Sequence, residues 1–207
     1  MRIKYLINSL RINGLLHTIN TINSGYFKLN KFIVFHLEVS KKYKKKINNL
    51  KFMKISIEEL KSYRQHCPHL PIQFFCDLSH NFKNPYIAAF GNKIVAIDWL
   101  VFPGETSRFL DLDKNEVEMN YNVVLPEFQG KEISRYLKEY MINDCISQAI
   151  KRIYVVVNVE NIPQCKILIR LGFEPVEVLT HFMWWRPKAK LKYVKQRVDK
   201  NNRNSVK

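Results

Sequence analysis

From Asn122 to Ser134 the chain reads Asn-Val-Val-Leu-Pro-Glu-Phe-Gln-Gly-Lys-Glu-Ile-Ser. An apolar run meets a proline, then a short polar loop with one glycine, then a segment of helical periodicity. A strand, a loop and a helix in that order aim the first amides of the helix at one spot. Those amides have no partner inside the helix, and the helix dipole adds positive potential, so the spot suits phosphate oxygens. A second such unit follows: a β-rich run at 153–159, then Asn161 with Pro163 two residues on, then a helical segment ending in Leu171-Gly172-Phe173. Asn161 has the residue type and place of a helix cap, with the proline in the first turn.

The elements that must position these residues can be read from local pattern. Residues 26–39 and 50–55 read as strands. Ser56-Ile-Glu-Glu59 has the spacing of a capping box, so a helix starts there, and Pro68 and Pro71 break it. A second short helix fits within 72–80. Gly91-Asn92 reads as a tight hairpin between strands at 86–90 and 93–102. Residues 116–124 alternate, which predicts Glu116, Glu118, Asn120 and Asn122 on one face and Val117, Met119, Tyr121 and Val123 on the other. Residues 131–150 have helical spacing, 153–159 is a continuous apolar strand, and 162–171 is a helix closed by Gly172. Residues 173–186 are expected to form two last strands. Trp184 and Trp185 among them either pack on the sheet or line a pocket.

The chain of 207 residues is 46% hydrophobic, enough for one domain with a core. Its formal charge of +16 belongs to its ends. Residues 1–55 hold twelve Lys or Arg against Glu38 alone, and residues 186–207 hold nine against Asp199 alone, while the middle is slightly acidic. Basic ends allow a nucleic-acid-binding reading, but no recognition motif accompanies them, and nucleic acid is not the expected partner. No stretch approaches the ~18 uninterrupted apolar residues of a membrane span. The amino terminus lacks the apolar core of a secretory signal, so a cytoplasmic location is expected. Cys67, Cys76, Cys145 and Cys165 are widely spaced and read as reduced thiols. His66, Cys67, His69, Cys76 and His80 match no zinc spacing, and no metal is expected.

The two strand–loop–helix units, in this order, resemble the GNAT acyltransferase superfamily. The resemblance covers residues 51–187. It leaves 1–50 as a basic extension with one strand and 188–207 as a basic tail. It implies an α/β (α+β) fold: a mixed, mostly antiparallel sheet with two parallel strands splayed apart and helices on both faces. It also implies acetyl-CoA or a longer acyl-CoA as co-substrate. Carried over by position, the backbone of Asn122, Val123 and Val124 would meet the pantetheine arm and the acyl carbonyl. The family's phosphate loop, Gln/Arg-x-x-Gly-x-Gly/Ala, reads here Gln129-Gly130-Lys131-Glu132-Ile133-Ser134. The fourth position departs, and Glu132 must point away from a diphosphate while Lys131 and Arg135 offset its charge. Asn161 matches an asparagine that contacts the cofactor arm.

Attack of an amine on a thioester needs a neutral amine, a polarised carbonyl and a proton for the leaving thiolate. Glu118, eleven residues before Gln129, matches the place of a glutamate base in family members that have one. The resemblance also places a tyrosine acid seven residues after Asn161, where this chain has Leu168. Cys165, Tyr121, Tyr136 and Tyr140 are the nearby alternatives, and core packing competes for most of them. The leading expectation is an N-acyltransferase, acetyl-specific, acting on a small amine as a monomer or homodimer. The alternative is a module that binds acyl-CoA without efficient turnover.

Overall fold

The computed structural model describes residues 29–40, 42–43, 49–182 and 187–190. Seven strands share one sheet: β1 (Asn30–Glu38), β2 (Lys51–Lys54), β3 (Pro85–Phe90), β4 (Lys93–Val101), β5 (Glu116–Val124), β6 (Arg152–Asn158) and β7 (Glu174–His181). Their order across the sheet is β2-β3-β4-β5-β6-β1-β7. Only β5 and β6 run parallel; every other neighbouring pair is antiparallel. The helices are α1 (Ile57–His66), α2 (Cys76–His80), α3 (Ile133–Ser147) and α4 (Ile162–Arg170).

Local signals account for most element ends. The Ser56 hydroxyl accepts from the Glu59 amide at 3.1 Å, and the Glu59 carboxylate accepts from the Ser56 amide at 2.6 Å. This capping box starts α1 at the expected residue. The hairpin turns at Gly91, where φ is 57°. Gly172, at φ 82°, ends α4 because its amide reaches Ile169 O and the Phe173 amide reaches Leu168 O, both at 3.0 Å. That pair of reversed bonds satisfies the last carbonyls, and a left-handed residue is required to make it.

Helices cover both faces. On one, α3 sets Leu137, Met141 and Cys145 against Val117, Met119, Ile153 and Val155, with Leu168 of α4 beside them. On the other, α1 and the 72–82 segment place Leu60, Phe74 and Phe82 against Ile97, Trp99 and Val101. The loop after β4 covers the far half of that face, where Phe109 and Leu110 meet Val34, Tyr154 and Leu179. Each fully buried Leu or Phe contributes about 1.5–3 kcal/mol. Arg64 of α1 forks onto Asp77 of α2 at 2.6 and 2.8 Å and so fixes α2 against α1.

Two features differ from the local reading. The strand expected near residues 26–39 is β1, and it lies inside the sheet, bonded to β6 on one side and β7 on the other. Of the two strands expected in residues 173–186, β7 is described, and residues 183–186, Trp184 and Trp185 among them, lie outside the described residues, as do 1–28 and the tail from 191.

The second difference concerns β5. Opposite Trp99 and Ile97 it places Asn120 and Val123, one residue more than the partner, and Tyr121 takes φ 58°. This bulge reverses the alternation. Glu118 and Asn120 share a face, but Asn122 turns to α3, and Tyr121 and Val123 turn to the α1 and α2 side. The expected common face of Glu116, Glu118, Asn120 and Asn122 therefore breaks at residue 121.

Candidate functional site

β5 and β6 pair at only three positions, Glu116 with Arg152, Val117 with Ile153 and Glu118 with Tyr154. Beyond them β5 follows β4 as far as Val124, while β6 follows β1 as far as Asn158. The two strands diverge and leave a cavity of about 180 Å³. Its walls are residues 119–122 of β5, residues 155–158 of β6, Lys138 of α3, and Asn161 and Gln164 at the start of α4. An extended molecule with amides of its own can pair with a strand edge of this kind.

The opening turn of α3 lies at the end of β5. Gly130 and Glu132 both take left-handed φ, 77° and 56°, and Glu132 makes no capping bond with its side chain. Alternating backbone hands of this sort gather amides into an anion-binding hollow. The Glu132 carboxylate turns away toward Arg135 at 3.3 Å and Arg170 at 3.6 Å. Arg135 is thereby engaged on its own helix, with Glu139 at 3.5 Å as well. Lys131 lies over the Phe128 ring at 5.2 Å, and the Gln129 side chain donates to the Val124 carbonyl at 3.1 Å. Ile133 is buried against the core, which fixes the helix start.

Side chains link the strand edge to that helix start. Ser134 donates to the Asn122 carboxamide oxygen at 2.7 Å, and the Asn122 amide donates to Asp98 at 3.1 Å. Asp98 also accepts from the Lys138 ammonium, and both are buried. Burial pushes the Asp98 carboxyl up, against the opposing pull of Lys138. Sequence reasoning passed over this pair. Its signals were a lone acid in the apolar run of β4 and a lysine one turn after Ser134 on the inward face of α3.

Glu118 has no exposed surface. Burial pushes its carboxyl up to about 7, while Ser107, Lys188 and Asn120 pull it down less strongly. The Asn120 amide donates to Oε1 at 2.8 Å, and Oε2 has no hydrogen-bond partner among the described residues. Glu118 does not itself line the cavity, but Asn120 does. Asn161 accepts from the Gln164 amide at 3.3 Å, so it caps α4 while facing the cavity.

The model of the acetyltransferase (GNAT) family matches residues 50–173, more than half of the chain. The chain belongs to the GNAT acetyltransferase family. Solved GNAT structures share the fold at low identity. An acetyltransferase from Colwellia psychrerythraea aligns with TM-score 0.54 at 13% identity, over 84% of this chain and 63% of its own. A GCN5-related N-acetyltransferase from Sphaerobacter thermophilus aligns with TM-score 0.53 at 8% identity, over 86% and 59%. A GCN5-related glucosamine N-acetyltransferase region of a fungal β-N-acetylglucosaminidase aligns with TM-score 0.55 at 12% identity, over 80% and 22%. This chain thus spans less than two thirds of each of these structures' own chains. No curated protein sequence matches it.

GNAT proteins use acyl-CoA as co-substrate. The fourth loop position, glycine in the family pattern, is one of the two where this loop turns left-handed, and Glu132 takes that φ instead. Leu168 is fully buried in the core. Cys165 packs against the same core, and burial pushes its thiol up. No helix among the described residues is long and apolar enough to cross a membrane.

Proposed function

We propose that this chain is an acyl-CoA-dependent N-acyltransferase that passes an acetyl group directly to a small amine in a ternary complex. The observation that carries the reading is the divergence of β5 and β6 beside an uncapped helix start. In it, the backbone at Asn122, Val123 and Val124 holds the pantetheine and polarises the acyl carbonyl. Amides of Gly130 to Arg135 hold the diphosphate, with Gln129, Lys131 and Ser134 setting the loop, and Asn161 steadies the arm. Glu118 is the base that turns the incoming ammonium into an amine, directly or through a water, with Asn120 holding its carboxylate by a hydrogen bond of 2.8 Å. A pKa raised by burial to about 7 suits that task at neutral pH. We place the protein in the cytoplasm, as a monomer or homodimer.

Leu168 favours a second reading, a module that binds acyl-CoA without turnover. Titration calorimetry with acetyl-CoA, run beside a thiol-release assay over amino sugars, amino acids, polyamines and peptide amino termini, separates the two. Binding with thiol release from at least one amine supports the enzyme. Binding with none supports the module. Absence of binding overturns both.

A further inference from the structure

The cleft between β5 and β6 changes in chemistry from one end to the other. Both strands run toward its mouth, so its blind end lies at their last pair, Glu118 with Tyr154. Carboxamides gather toward the mouth, where Asn122, Asn158, Asn161 and Gln164 line the walls. Lys138 reaches Asp98, which Asn122 also bonds, so its charge sits at the level of Asn122 and not at the blind end. The first side chains past the last pair on the α3 face are Met119 and Val155, and both line the cavity. They are 0% and 4% exposed. Asn120, next to Met119, is spent inside the protein: its amide donates to Glu118 and its oxygen accepts from the Tyr121 amide, both at 2.8 Å. The blind end therefore offers apolar surface, and the mouth offers polar groups.

The wall behind that apolar surface is closed. Leu137 and Met141 of α3 pack there with Val117 and Ile153, all fully buried. A methionine side chain on its own adapts easily to a new shape. Backed by an interior at crystal-like density, it has nowhere to move without displacing its neighbours.

We propose that Met119 and Val155 are the stop against which the acyl chain ends, and that they select acetyl-CoA over longer acyl-CoA. The proposal rests on the acyl-transfer reading above and assigns its donor specificity to two side chains. In that reading the diphosphate lies at the start of α3, beside the end of β5, and the arm runs inward along the strand edges. The acyl group is then the part that travels furthest in. The methyl of an acetyl group fills the space in front of Met119. Each further methylene has to enter volume that Met119 and the core behind it already occupy. Neither side chain carries a proton that can move, so the pair acts on which donor binds and not on the bond-making step.

Calorimetric titration with CoA, acetyl-CoA, butyryl-CoA and hexanoyl-CoA tests the stop without an acceptor amine. The unsubstituted chain should bind acetyl-CoA at least about tenfold more tightly than butyryl-CoA, since one methylene in an apolar pocket is worth ~10–200-fold. Met119→Ala should raise the butyryl-to-acetyl affinity ratio by about tenfold or more. Val155→Ala should raise it by a smaller factor, and it serves if Met119→Ala does not fold. Leu60→Ala truncates an equally buried side chain on the opposite face of the sheet and should leave the ratio within about twofold. Equal binding of acetyl-CoA and hexanoyl-CoA by the unsubstituted chain overturns the stop and leaves acyl transfer standing. So does a ratio unmoved by both cleft variants, or one that Leu60→Ala moves as far. A chain that binds none of the four, CoA included, overturns the acyl-transfer reading and the stop together.

Discussion

Glu118, as the proposed base, would couple chemistry to stability through one proton. In the unfolded chain its carboxyl titrates near 4.5, and in the folded chain near 7, because burial penalises the charge. The folded state holds this proton more tightly, so its contribution to stability is full below 4.5 and declines as pH rises through 7. At about 1.4 kcal/mol per unit, the loss is on the order of a few kcal/mol. Glu118→Gln should remove that slope, so that denaturant melts at pH 8 show a more stable protein. The same change should lower turnover by about 10²–10⁴ with acetyl-CoA affinity unchanged. It should also abolish the rise of kcat/KM with pH near 7, since a base works only when deprotonated. A variant that is more stable yet fully active would remove Glu118 from the reaction. Glu132 makes a second case. Its left-handed φ costs about 1 kcal/mol in a residue with a side chain, and its exposed ion pairs return little. Glu132→Gly should therefore raise the melting midpoint by a few degrees. It should also tighten acetyl-CoA binding several-fold in calorimetry, because a carboxylate leaves the edge of the proposed diphosphate site.

At the scale of elements, β4, β5 and α3 are tied by the row Ser134, Asn122, Asp98 and Lys138. Lys138→Met leaves a buried carboxylate without its cation and should destabilise by roughly 3–5 kcal/mol, measured by chemical denaturation. Lys138→Met combined with Asp98→Asn should recover most of that loss. Recovery without acetyl-CoA binding would show that the row shapes the cleft and does not serve stability alone. Elements with local causes were legible in the sequence. The capping box at Ser56, the turn at Gly91, the cap at Asn161 and the stop at Gly172 each rest on contacts within a few residues. The bulge at Tyr121 was not legible, because clean alternation in residues 116–124 carries no mark of an extra residue opposite β4. It redistributes the candidate site: Asn122 joins the α3 network, Tyr121 meets His80, and Glu118 stays behind on the other face. The buried pair was missed for a related reason, since Asp98 and Lys138 lie 40 residues apart and meet only through packing.

The whole molecule depends on a strand from its first fifty residues. β1 is a sheet interior, with Val34 and Phe35 buried and ladders on both edges. β7 meets the sheet only through β1. Hydropathy showed a strand there but could not show its neighbours, because strand order is set by long-range pairing. Five residues after β1, the Tyr43 backbone exchanges two bonds of 2.9 Å with the Asn143 side chain of α3. The Tyr43 hydroxyl also reaches the Leu171 carbonyl at the end of α4. A strand between β6 and β7 also supports the far wall of the cleft, because residues 155–158 of β6 have β1 as their ladder partner. Removal of residues 1–40 should therefore abolish the cooperative thermal transition and the response to acetyl-CoA together, read by near-UV circular dichroism and thermal shift. A synthetic peptide of residues 29–40, added in excess, should restore both by refilling the gap as a strand. A truncated chain that melts cooperatively and binds acetyl-CoA unaided would show that β6 and β7 can close on each other, and that the inserted strand is dispensable to the cleft.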